Sequence, residues 1–124
     1  MSAPPSRLPL IYSCSGCSSA AQLTNALALQ LTREGLGEMS CIAGVGGGVP
    51  ALLRLARAGR PILALDGCHL ACVQACLAQR GLVPDEHLVL ADHGIGKRAH
   101  APYREDELAS LLPRLRQQLR ALAT

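Results

Sequence analysis

Pro61-Ile62-Leu63-Ala64-Leu65-Asp66-Gly67-Cys68-His69-Leu70-Ala71-Cys72 is the stretch on which the fold turns. Proline opens an unbroken apolar run, Ile62 to Leu65, that reads as a strand buried on both faces, as in a parallel sheet covered by helices. The run ends in an Asp-Gly turn, and a helical period follows from about His69 to Arg80, stopped by Gly81. Strand, glycine-bearing turn and helix in that order form one βα unit.

The same pattern recurs on both sides, about four times in all, without a long linker or low-complexity stretch. Upstream, Leu8 to Ser13 predicts the first strand and Ser19 to about Glu34 its helix, with Ser19 and Gln22 spaced as a capping box and Gly35 in the stop position. Leu23, Ala26, Leu27, Gln30 and Leu31 give that helix one mainly apolar face. The second strand is expected over Glu38 to Ala43, followed by the loop Gly44-Val45-Gly46-Gly47-Gly48 and a helix entered through Pro50 and closed by Gly59. Downstream, His87 to Ala91 predicts the fourth strand, and the polar, basic run Asp92-His93-Gly94-Ile95-Gly96-Lys97 a surface loop.

The last helix is expected from Arg104 to Leu122. Leu108, Leu111, Leu112, Leu115, Leu119 and Leu122 recur on it at the spacing of a core-facing stripe, and Pro113 is expected to kink it. The whole reads as a small three-layer, Rossmann-like α/β domain with a mainly parallel four-stranded sheet and a C-terminal helix. One domain is expected over residues 1–124, with a flexible N-terminus over residues 1–7.

Composition narrows the function classes. Hydrophobic residues make up 49% of the chain, enough for a core, but there is no Phe or Trp and only Tyr12 and Tyr103, so few rings are available on which nucleic-acid bases could stack. The net charge of +3 comes from scattered arginines and one lysine, Lys97, rather than from a block able to neutralise many phosphates. Nucleic acid is therefore not an expected partner. The N-terminal apolar stretch is too short for a signal-peptide h-region or a membrane span, so no membrane partner is expected and the cytoplasm is the expected compartment. There, six cysteines read as metal binding or thiol chemistry and not as a disulfide framework.

Most of those cysteines fall at strand ends. Cys14-Ser-Gly-Cys17 follows the first strand, Cys41 lies near the end of the second, and Cys68 and Cys72 follow the third. In an open parallel sheet, ligands bind beyond the carboxyl ends of the strands, where strand order reverses. Four thiolates about 2.3 Å from one ion make a closed tetrahedral zinc site, and two spaced pairs supply them at little loop-closure cost. Helix starts beside the sulfurs favour the thiolate form, which serves a metal ligand and a reactive thiol alike. Cys76, four positions after Cys72 inside the helix, reads as a small buried apolar residue.

Cys14-Ser-Gly, then Cys41-Ile-Ala-Gly-Val-Gly-Gly, then Asp66-Gly67-Cys68 with Cys72 also resemble the DGC domain family, proteins named for their Asp-Gly-Cys motif and associated with zinc. The resemblance runs from about Leu8 to Lys97. It implies a small cytoplasmic domain with four chelating cysteines, mapping here onto Cys14, Cys41, Cys68 and Cys72. Spacing alone pairs Cys14 with Cys17 instead, so five candidates stand for four positions. The chain departs from the family pattern at His69, where proline is expected, and at Asp92-His93.

The other polar residues at the strand ends carry open readings. Asp66 either orients a group around a metal ligand or caps the following helix. His69 and His93 are candidates for ligand or acid–base roles, against the simpler reading of solvent-facing histidines. The Gly44 to Gly48 loop has the glycines of a phosphate cradle but lacks the Gly-Lys-Ser/Thr ending of a P-loop and the Gly-x-Gly-x-x-Gly of a dinucleotide fold, so a close turn is the simpler account. A phosphatase-like loop at Cys14 lacks the arginine that would hold the oxyanion. No paired carboxylates stand near the cysteine loops, and no catalytic residue is assigned.

Two functions follow as expectations. One is a metal-binding module, with zinc or an iron–sulfur cluster held by Cys14, Cys41, Cys68 and Cys72 and with Cys17 as alternate. The other is a thiol redox enzyme or sulfur carrier that cycles Cys14 or Cys68 through a disulfide or persulfide.

Overall fold

A computed structural model describes residues 7–124. The expected flexible N-terminus, residues 1–7, lies outside the described residues except for Arg7. Four strands form one sheet: β1 (Leu10–Ser13), β2 (Glu38–Met39), β3 (Ile62–Asp66) and β4 (Glu86–Val89), in the order β2-β1-β3-β4. Every pairing is parallel, with Leu10 to Ser13 in register with Ile62 to Leu65. β1 and β3 are buried throughout, as expected of central strands covered on both faces.

The pleat sends alternate residues to opposite faces. Ile11, Leu63 and Leu65 meet one core with Leu23, Leu27 and Leu31 of α1 (Ser19–Arg33) and Leu111, Leu115 and Leu119 of α5 (Glu105–Leu122). Leu10, Tyr12, Ile62 and Ala64 meet the other, with Val45 of α2 (Ile42–Gly46), Ala56 of α3 (Pro50–Ala56), and Val73 and Leu77 of α4 (Cys72–Gln79). The crossover from β1 thus leaves on one face and the crossover from β3 on the other. Strand order reverses between these two neighbours, which puts the switch point, and the crevice it opens, at the carboxyl ends of β1 and β3.

Several boundaries differ from the sequence reading. α1 is capped by Ser18, whose side chain accepts from Ala21 N–H at 3.1 Å, one residue before the expected cap. β2 stops at Met39, because only Glu38 and Met39 pair with β1, and the chain then winds into α2 with Cys41 as its N-cap. The expected glycine loop is therefore largely helix. At Gly44 a Cβ would run into the Leu52 side chain of the helix that follows, which would have to move aside. The Arg80 guanidinium donates to Val45 O at 2.9 Å and Gly46 O at 2.6 Å, and the N–H groups of Gly47, Gly48 and Val49 are paired with Ala43 O, Val45 O and Gly44 O, so they are not turned out as an anion cradle.

α4 begins at Cys72 and not near His69, because Ala71 takes a left-handed conformation (φ 51) that no helix interior allows. β4 ends at Val89, since Leu90–His93 wind into a 3₁₀ turn. α5 runs through Pro113 without ending. Among the described residues, no helix is long and apolar enough to cross a membrane.

Candidate metal and thiol site

The crevice at the switch point is a pocket of about 210 Å³. Cys14 and Cys17 line it from the β1 side and Cys68 and Cys72 from the β3 side, with Asp66, Gly67 and Lys97 between them. Cys41 does not line it. It stands on a neighbouring groove with Ser13, Asn25 and Ser40, where its sulfur accepts from Gly44 N–H at 3.4 Å. The pairing suggested by spacing, Cys14 with Cys17, is the one that shares a pocket with Cys68 and Cys72. Cys76 is half-buried against Gly46, in keeping with a packing role.

Each residue of Asp66-Gly67-Cys68 does a different mechanical job. Asp66 is 1% exposed, and its carboxylate accepts from Val73 N–H at 2.8 Å and Gln74 N–H at 3.2 Å, the free donors of the first turn of α4. His87 Nε2 of β4 stands 2.8 Å from Asp66 Oδ2. The carboxylate thus pins the helix that carries Cys72 to the strand that precedes Cys68. At Gly67 a Cβ would lie 2.9 Å from the Ala20 backbone and side chain, so only glycine lets β3 end against the start of α1. That close passage brings Gly67 N–H to 3.2 Å from Cys14 Sγ. Cys68 then enters the pocket half-buried.

Cys14 is the most enclosed of the thiols. Its sulfur lies 3.3 Å from Thr24 Oγ1, whose own hydrogen has carbonyl acceptors at Ala21 (2.7 Å) and Cys14 (3.0 Å). Burial pushes the Cys14 thiol above its ordinary range. Hydrogen bonds from Thr24 and Gly67 pull the other way, and the negative charge of Asp66 and Cys72 adds to the rise. Either atom of the contact between Cys14 Sγ and Thr24 Oγ1 can be its donor.

Cys17 and Cys72 are exposed at the rim. Among the described residues, no three His, Cys, Asp or Glu side chains are grouped to hold a metal ion as they stand. The donor set nevertheless fits a soft cation in kind, with four thiols on one pocket and amide and hydroxyl donors behind the deepest sulfur. His69 is exposed and paired with Asp92 at 2.6 Å, and neither it nor His93 is among the residues lining the pocket.

Lys97 is the pocket residue that sequence reading passed over, since it sits in what looked like a surface loop. Its Nζ donates toward Cys68 Sγ at 3.7 Å. The available signal was that it is the chain's single lysine in a segment beyond a strand end.

With this geometry in place, comparison with known proteins gives a consistent result. The DGC domain model matches residues 10–115. The chain belongs to the DGC domain family. Over 121 residues it is 58% identical to the anaerobic and virulence modulator AnvM of Pseudomonas aeruginosa, spanning 98% of this chain and 89% of that protein. No solved structure matches it. The family's Asp-Gly-Cys motif is thus the turn that joins β3 to α4 and closes the floor of the pocket.

Proposed function

We propose that this member of the DGC family is a regulatory module that holds one thiophilic metal ion, zinc in the first instance, through Cys14, Cys17, Cys68 and Cys72. The observation that carries the reading is the convergence of these four thiols, from two strand ends, on one pocket at the switch point of the sheet. A set of four thiolates leaves no open position for substrate, so the ion joins the two loops and does not catalyse. An iron–sulfur cluster would take the same kind of ligands. Cys41, one strand away, is the alternate ligand.

The relative from Pseudomonas aeruginosa is named a modulator, and we extend that role to this chain. The reading places the protein in the cytoplasm, where thiols stay reduced and available to metal. The raised Cys14 thiol weighs against the rival reading in which Cys14 is a resting nucleophile, because the thiolate is the reactive form.

The test is elemental analysis and labile-sulfide content of protein purified without chelator or a metal-binding tag, alongside native and denatured thiol counts. About one zinc per chain with protected thiols is expected, and Cys68→Ala should abolish it. Iron with sulfide would replace zinc by a cluster. Metal-free protein whose thiols react quickly would overturn the reading in favour of thiol redox or sulfur transfer.

A further inference from the structure

The segment that follows the 3₁₀ turn is tied across the mouth of the pocket. Ser19 N–H donates to Arg98 O at 2.9 Å, Arg98 N–H to Ser19 Oγ at 3.0 Å, and His100 N–H to Cys17 O at 2.8 Å, while Ser18 and Ala99 form an antiparallel bridge. Residues 97–100 therefore lie as a strap along residues 17–19, the stretch that joins Cys17 to α1. Arg98 continues the link to α5, with its guanidinium 3.4 Å from Glu107. From this strap Lys97 reaches back over the pocket to Cys68, on the opposite rim.

Charge explains why such a residue matters. Four thiolates around a divalent ion leave about two net negative charges in a crevice that already holds the Asp66 carboxylate, and negative charge taken out of water needs donors and counter-charge. Gly67 N–H serves Cys14. Among the lining residues, Lys97 is the only one that carries a full positive charge. The strap is exposed except for the half-buried Arg98, and it is held by the hydrogen bonds to residues 17–19, by the Arg98 contacts to Pro102 and Glu107 and by the Lys97 contact to Cys68.

We infer that Lys97 is an affinity-determining residue of the thiol site, its ammonium bridging to Cys68, and that residues 97–100 are a clasp that tightens when metal enters. This rests on the metal reading above. The clasp joins both rims of the pocket to the start of α5, which gives metal occupancy a route to the outer surface of the protein.

The full-length chain, Lys97→Met and Lys97→Arg are titrated with zinc against a chromophoric chelator, and amide hydrogen exchange is followed with and without zinc. K97M should bind zinc roughly 10- to 100-fold more weakly, the range seen when a group behind a metal ligand is removed. K97R, which keeps the charge, should recover most of the loss. Zinc should slow exchange at the Ser19 and His100 amides in the parent and much less in K97M. Equal affinity of K97M and parent overturns the inference and leaves the metal reading intact. Unchanged protection at both amides on adding zinc overturns the clasp. A parent chain that takes up no zinc overturns the metal reading, and the inference falls with it.

Discussion

Replacing Asp66 by alanine should cost this protein about 3 kcal/mol, a large share of the stability of a domain this size. The carboxylate is 1% exposed and accepts two amide hydrogens at the start of α4, from Val73 at 2.8 Å and Gln74 at 3.2 Å. Loss of a helix-capping acceptor costs roughly 1 to 2 kcal/mol. Val73 is fully buried, so its N–H has no water to turn to, and His87 loses its partner at 2.8 Å as well, which adds about 1 to 2 kcal/mol for stranded polar groups. The sum corresponds to a fall of roughly 10 °C in Tm for a chain of this length.

Urea unfolding followed by far-ultraviolet circular dichroism gives the measurement, with an unchanged m-value as the sign that only the native state was affected. Asp66→Asn should fall between parent and alanine, since one oxygen still accepts while the amide group faces a donor. Native-state alkylation of Cys72 should also quicken in the alanine variant, because the helix start that carries it is no longer pinned. A loss below about 1 kcal/mol for Asp66→Ala would refute the assignment of the carboxylate as the anchor of α4.

Three further outcomes follow from neighbouring geometry. Gly67→Ala should destabilise by more than about 2 kcal/mol, because its Cβ meets the Ala20 backbone at 2.9 Å and backbone cannot swing aside as a flexible side chain can; thermal unfolding of the variant checks it, and a Tm within a degree or two of the parent would contradict the close approach. Ala71→Gly should stabilise by about 0.5 to 1 kcal/mol, since Ala71 bears a left-handed φ of 51 that glycine adopts without strain, and a lower urea midpoint would count against it. The ion pair between Arg116 of α5 and Glu34, bonded at 2.8 and 2.9 Å, lowers the Glu34 carboxyl to about 2 from 4.5. Its contribution is complete above pH 4.5 and lost as pH falls through about 2, so Glu34→Gln should lower the urea midpoint slightly at neutral pH and leave it unchanged near pH 2, while a constant difference at both would exclude the pair as the cause.

The sheet was readable because each of its central strands announces burial by composition. Ile62 to Leu65 has no polar residue to turn outward, and that alone implies helices on both faces. Sequence periodicity failed where a contact between distant segments decides the conformation. Ser18 looks no better a cap than Ser19. The hydroxyl of Ser19 accepts from Arg98 N–H and its own N–H donates to Arg98 O, 79 positions away, and Ser18 takes the cap. The glycines after Cys41 look like a loop until Leu52 and Arg80 supply the reason that small residues there form a packed helix.

The site divides along the same line. Its thiols were visible, since local spacing brings Cys14 beside Cys17 and Cys68 near Cys72, but which pairs meet is settled by the strand order that puts β1 next to β3 and leaves β2 outside. Cys41 was implied as a ligand by resemblance, and a strand end one place further out puts it on another groove. Lys97 is separated from Cys68 by 29 positions, with α4 and β4 between them, so its being the single lysine beyond a strand end does not say which thiol it meets. What a short motif specifies is therefore a mechanical junction. Asp66 holds a helix, Gly67 admits a neighbour, and Cys68 faces whatever those two contacts have brought within reach. The chemistry of the pocket is set by the residues that the junction gathers, Lys97 on its strap among them.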